Sequence, residues 1–309
     1  MNILEIKNLK VHFPSEDGLV RPVDELNLDV KTGETLGLIG ESGSGKTVFS
    51  LAVPGLLYDN AKIEGEILFK NRNLLSISES ELRHIRGGEI GIVFQSSNAL
   101  NPAFTVGNQL YEAIKEHLNF DKESVVDKAL NLLERVNLNP PSKWFKRYPH
   151  EFSGGMKQRA LIAMGISSDP SLIIADEPTR GLDVTIKRKT TDLLEEVAKD
   201  RSMLVITHDL TVAWKLADRV AVMYAGEIVE IAKSGHFFRN PYHPYSEGLL
   251  NSHPSQTMEP IPGTSPSLIH LPAGCRFYPR CEYAMDVCKN NHPPMMTIGT
   301  RHVRCFLYD

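Results

Sequence analysis

The chain has 309 residues, 41% hydrophobic content and a formal net charge of −4 at pH 7, enough for one large domain or a medium domain with an appendage, around a substantial core. A pI near 6.3 argues against nucleic acid as a partner, because such binders usually carry a basic excess. No apolar run reaches the length of about 18 residues that a spanning helix needs, and MNILEIKNLKVHF alternates like a strand and lacks the apolar core of a signal peptide, so a cytosolic chain without structural disulfides is expected.

In chain order, short apolar runs read as buried parallel strands: LGLIG (36–40), IGIVF (90–94), LIIA (172–175) and MLVIT (203–207). Helical patterns lie between them. VFSLAVPGLL follows the first, Ser78 with Glu81 forms a possible capping box, and residues 105–118 and 122–136 show apolar spacing near 3.6. The alternation predicts an α/β fold with a largely parallel sheet. Ten of the 19 prolines and all four cysteines lie beyond residue 240, so a boundary is placed near Ser234–Pro241.

GESGSGKT (Gly40 to Thr47) stands between a strand and a helical pattern, the setting of a phosphate-binding loop. Gly40, Ser42, Gly43 and Gly45 form a backbone cradle whose N–H groups can face phosphate oxygens. Lys46 can reach the terminal phosphates and the Thr47 hydroxyl can ligate Mg²⁺. LIIADE ends in two acids. Asp176 is placed to reach Mg²⁺ through water, and Glu177 to orient or deprotonate an attacking water. Gln95 and His208 close two further strands. FSGGMKQRALIAMG puts Ser153, Gly154 and Gly155 at a helix start, a second anion cradle 108 residues after Gly45.

In this order the chain resembles the ATP-binding-cassette ATPases over residues 1 to about 235. The resemblance makes GESGSGKT the Walker A loop, FSGGM the signature, LIIADE the Walker B strand, Asp183 in GLD the D-loop acid, His208 the switch histidine, Gln95 the Q-loop glutamine that senses Mg²⁺, and Phe13 the aromatic under adenine. It implies a P-loop cassette with a mostly parallel core sheet, an antiparallel β subdomain and a helical signature subdomain at about 96–168. It further implies a head-to-tail dimer with ATP between the Walker A loop of one subunit and the signature of the other. Phe152, Met156 and Arg180 depart from common family residues. Only 57 residues separate Gln95 from Ser153, without sustained heptads, so the long coiled-coil arm of chromosome-organising relatives is excluded. Transport is left as the main reading.

Residues 236–309, with HPY, CRFYPRC and HVRC in order, resemble the C-terminal extension of the oligopeptide/dipeptide importer ATPases. That implies a peripheral subunit on the cytoplasmic face of the membrane. Its partners would be a second, non-identical ATPase subunit (or a second copy in isolation), two permeases and an external binding protein. Nickel or metallophore and oligosaccharide importers share the subfamily and stay open. Cys275, Cys281, Cys288 and Cys305 are spaced C-x5-C-x6-C-x16-C, wider than the usual zinc knuckle. Some members of the subfamily carry a 4Fe–4S cluster at these positions. A 4Fe–4S cluster is the first expectation and zinc the second, with the thiols standing in for a hydrophobic core in a small irregular extension. A reading from another class, an iron–sulfur redox or sensor protein with a nucleotide-binding domain, has no second redox centre to support it.

Overall fold

The structure, a computed structural model, describes residues 1–95, 99–253 and 258–309. The chain forms two compact units, one of Met1–Leu75 with Ile206–Asp309 and one of Ser76–Val205.

The first unit opens with β1 (Asn2–Ser15), β2 (Gly18–Lys31), β3 (Thr35–Ile39), α1 (Lys46–Ala52), β4 (Lys62–Phe69) and β5 (Arg72–Asn73). β1 and β2 alternate inward and outward side chains, burying Leu4, Ile6, Leu9, Leu26 and Leu28. They pair antiparallel in a sheet ordered β2-β1-β4-β5. β3, by contrast, is buried at all five positions, as expected of a strand covered on both faces. α1 is shorter than its sequence pattern. It ends at Ala52, two residues before Pro54, where proline lacks the N–H that a further turn would use.

The second unit holds α2 (Glu79–Gly88), β6 (Ile90–Val93), α3 (Val106–His117), α4 (Lys122–Arg135), α5 (Pro141–Phe145), α6 (Gly154–Gly165), β7 (Leu172–Asp176) and α7 (Val184–Ala198). β6 and β7 pair in parallel. α2 carries the expected capping box, with the Ser78 side chain accepting from Glu81 N–H while the Glu81 carboxylate accepts from Ser78 N–H. β8 (Ser202–Thr207) spans the boundary between the units.

The first unit resumes with α8 (Leu210–Leu216), β9 (Arg219–Tyr224), β10 (Glu227–Lys233), α9 (Ser234–Phe237), α10 (Pro244–Asn251), α11 (Asp286–Asn290), β11 (Met296–Ile298) and β12 (Arg301–Val303). β9 pairs parallel with β3 and antiparallel with β10. The end of the chain is less irregular than its composition suggests: β11 and β12 form a hairpin, and β12 adds to β10 through Glu230 opposite Val303. Nor do the thiols replace a core. Phe237, Tyr245 and Phe277 are buried in one cluster with Val220, Val222, Tyr224 and Val229 of β9 and β10, and Cys275 and Cys281 pack at its edge. Each such aromatic contributes about 1.5–3 kcal/mol by leaving water. The extension therefore shares apolar surface with the sheet.

Candidate functional site

In the first unit the phosphate loop follows the buried strand β3. Gly45 has φ +107°, and a Cβ there would strike the Pro22 carbonyl. Only glycine allows this turn, because the conformation is left-handed and β2 lies against it. Lys46 is buried, and its Nζ donates to the carbonyls of Gly40 (2.8 Å) and Glu41 (2.7 Å). The ammonium thus sits inside the curl of the loop. Ser42, Gly43 and Thr47 are exposed, as an incoming ligand requires. Phe13 lies half-buried on β1, and His208 is exposed just after β8; both belong to this unit.

The second unit holds the other predicted residues. β7 carries Asp176 to its end, and Asp176 and Glu177 are both buried. Glu177 has φ +46°, an uncommon backbone state for a residue with a side chain, of the sort found at functional sites. Arg180 N–H donates to the Glu177 carbonyl at 3.1 Å and closes the turn. Ser153 is the N-cap of α6, accepting from Met156 N–H at 3.4 Å. Gly154 is open on its Cβ side, while Gly155 leaves just enough room for Ile186 of α7. Asp183 caps α7 by accepting from Ile186 N–H at 2.9 Å. Gln95 follows β6 and is half-buried.

These features fit nucleotide and Mg²⁺ chemistry. The loop offers backbone donors, a lysine and the Thr47 hydroxyl, and the end of β7 offers two carboxylates. The ABC transporter family profile matches residues 23–180. The profile of the oligopeptide/dipeptide transporter C-terminal region matches residues 229–288. Over 313 residues the chain is 42% identical to the oligopeptide transport ATP-binding protein OppD of Salmonella typhimurium, covering 98% of this chain and 93% of that protein.

The chain belongs to the ABC transporter family.

The dipeptide transport ATP-binding protein DppD of Bacillus subtilis is 43% identical over 318 residues, covering 99% and 95% of the two chains. Among solved structures, the cassette superposes on the dimeric post-hydrolysis state of the ATP-binding cassette MJ0796 bound to ADP and Pi. The TM-score is 0.68 at 28% identity, covering 75% of this chain and 98% of that one. The cassette cbiO1 of Clostridium perfringens, part of the ABC transporter complex cbiONQ, gives 0.66 at 26% identity, covering 77% and 91%.

The structure also gives the HPY segment of this ABC ATPase a physical role. The buried Glu230 carboxylate accepts from the backbone N–H groups of Tyr242 (2.9 Å) and His243 (2.8 Å). Burial pushes the His243 imidazole down to about 4, so the ring is neutral and its Nδ1 accepts from Tyr245 N–H at 3.0 Å, capping α10. Pro244 opens that helix, where a missing N–H costs nothing. Tyr245 then packs on Tyr224 with ring centroids 4.5 Å apart.

None of the four cysteines is in a disulfide, and all four line one small cavity, along with Pro244, Tyr283 and Met285. Burial raises Cys275 to about 12 and Cys281 to about 11. Among the described residues no group of three or more His, Cys, Asp or Glu is arranged to hold a metal ion. Reading the sequence also missed Glu41, Arg276 and Arg280. The two arginines are the first and last residues between Cys275 and Cys281, and both are buried. Nothing in their local pattern separates them from surface charges.

Proposed function

We propose that the chain is the ATP-hydrolysing subunit of an importer of di- and oligopeptides. The observation that carries this is the pairing of a cassette with an oligopeptide/dipeptide-type C-terminal region, in a chain about 42% identical end to end to transport ATP-binding proteins of that class. No described helix is long and apolar enough to cross a membrane, so separate permease subunits must supply the path. The subunit works peripherally at the cytoplasmic side, with permeases, an external binding protein and a second ATPase subunit.

In the mechanism, Phe13 would stack on adenine, the Gly40–Gly45 backbone with Ser42 and Lys46 would bind the phosphates, and Thr47, Gln95 and Asp176 are the residues that would hold Mg²⁺. Mg²⁺ supplies charge neutralisation on the phosphate oxygens. Glu177 aligns the attacking water and accepts its proton, and His208 steadies the terminal phosphate. Ser153, Gly154 and Gly155 offer their hydroxyl and N–H groups to nucleotide held on a facing subunit, while Asp183 shapes the seam. Each chain thus carries two half-sites, and closure of a head-to-tail dimer completes them. The dimeric cassette MJ0796 supports this reading. In vesicles reconstituted with the permeases, ATP hydrolysis is expected to rise when peptide-loaded binding protein is added outside. Stimulation by a nickel chelate or an oligosaccharide, with none by peptides, would replace the substrate assignment.

For the four thiols a 4Fe–4S cluster is the first choice and zinc the second, because their C-x5-C-x6-C-x16-C spacing is wider than the usual zinc knuckle. A cluster spreads four thiolates around a larger body, and all four cysteines line one cavity. Cys275, Cys281, Cys288 and Cys305 would hold it. The cluster would supply a cross-link between segments 30 residues apart in sequence, from Cys275 to Cys305, and a one-electron redox centre.

A further inference from the structure

Glu41, the second residue of the phosphate loop, is held at every polar group. Its backbone N–H donates to the Tyr245 hydroxyl oxygen at 2.8 Å. Its carbonyl accepts from Lys46 Nζ at 2.7 Å. Its carboxylate accepts from Ser265 Oγ at 2.6 Å and from Arg280 Nη1 and Nη2 at 3.0 and 3.2 Å, a bidentate fork. Arg280 is itself locked, because Nε donates to the Pro262 carbonyl at 2.8 Å and the guanidinium lies 5.8 Å from the centroid of the Tyr224 ring. Tyr245, Ser265 and Arg280 all come from the C-terminal extension.

A second tie runs to the other end of the loop. Arg276 Nη1 donates to the Ala225 carbonyl at 2.6 Å, and Nη2 pairs with Asp24 at 2.6 Å. The next residue, Gly226, donates its N–H to the Ser44 carbonyl at 3.0 Å. The two arginines on either side of the Phe277–Pro279 run therefore anchor Glu41 directly and Ser44 through the β9–β10 turn.

We propose that Arg280 is a positioning residue for ATP binding. By clamping Glu41 it holds the loop in its phosphate-binding curl, and by pairing with that carboxylate it cancels a negative charge beside the triphosphate. Ionised pairs of this bidentate kind combine geometric specificity with strength. Breaking one by removing a single partner leaves the other charge uncompensated. The affinity of the loop for ATP then depends on a docked extension. This rests on residues 40–47 being the ATP loop, and not on what the thiols bind.

The test uses the full-length chain purified without oxygen, with ATP titrated calorimetrically in the presence of Mg²⁺ and metal content measured on every variant. Arg280→Met is expected to weaken ATP binding by about tenfold, and in the assembled transporter to raise KM by a similar factor with kcat retained, the signature of lost ground-state binding. Arg280→Lys, which keeps the charge without the fork, should lie between. Adding Glu41→Gln to Arg280→Met should recover part of the loss, because no charge is then stranded. Tyr245→Phe and Ser265→Ala are milder probes should Arg280→Met not fold, and each should weaken binding several-fold. Wild-type affinity in a folded Arg280→Met chain, equal effects of Arg280→Met with and without Glu41→Gln, or affinity that falls only in step with lost metal would each overturn the proposal. Lys46→Ala separates the layers. If it binds ATP normally the loop assignment itself fails, whereas loss there beside a normal Arg280→Met removes only the positioning role.

Discussion

Glu177 shows how one residue is prepared for its work. It follows the last residue of a fully buried strand, is itself buried, and takes a positive φ. Replacing it with glutamine keeps the size and removes the carboxylate proposed to accept the proton. Glu177→Gln is expected to bind ATP normally while turnover falls by a factor on the order of 10² or more; a hydrolysis assay with nucleotide-trapped dimers on gel filtration checks both halves. Glu41 is the opposite case, a carboxylate whose charge is balanced. Burial by itself would raise its pKa, but Arg280, Ser265 and Lys46 outweigh that and hold it below its ordinary 4.5, with the Tyr245 hydroxyl also against its backbone. A depressed folded pKa means stability that is fully present above the ordinary value and lost as pH falls through the lowered one. The gap in melting temperature between the parent chain and Glu41→Gln should thus be constant from pH 7 to about 5 and shrink below about 4.5. A gap that grows on acidification would show that the pairing is not what Glu41 contributes.

At the scale of elements, local signals and packing divide the work. The capping box of α2 at Ser78 and Glu81 and the Ser153 cap of α6 each involve residues three apart. They were legible because a cap is a local rule. α1 was read too long because its apolar pattern continues past Pro54 while the backbone cannot. The C-terminal extension was read as coreless because its own apolar residues are few. Phe277, Tyr245 and Phe237 complete a cluster whose other members lie on β9 and β10. Phe277→Ala should therefore cost about 3–5 kcal/mol, as truncations of buried aromatics do, and lower the melting temperature of the whole first unit. A separate early transition confined to the extension, with the main one unmoved, would contradict a shared core.

For the whole molecule, the phosphate loop and the proposed cluster site share one compact unit. The phosphate loop and the four-thiol cavity both lie within the unit formed by residues 1–75 and 206–309. Anaerobically purified protein is expected to hold about four irons and four sulfides per chain and little zinc. Cys281→Ser should lower that content and destabilise the extension, which metal analysis and unfolding curves would show together. Stoichiometric zinc in place of iron would reverse the choice between the two. Since the same unit holds the phosphate loop, loss of the proposed cluster should also weaken nucleotide binding, to the extent that Tyr245 and Arg280 leave their places on Glu41.

The sequence alone was sufficient for the family, the phosphate loop, the signature turn and the acids that end β7, because each is a short run in which neighbours along the chain do the chemistry. It was also sufficient for β1, β3, β6, β7 and β8 and for α1 to α4 and α6, whose periodicity is written in adjacent residues. Only the tertiary structure decided that Arg280 meets Glu41 across 239 positions, that β12 completes the edge of β10, and that the HPY segment is a helix cap built on a buried glutamate. A salt bridge between distant residues leaves no period and no spacing to read. It exists only where the packing of the apolar core brings two charges together and excludes the water that would otherwise separate them.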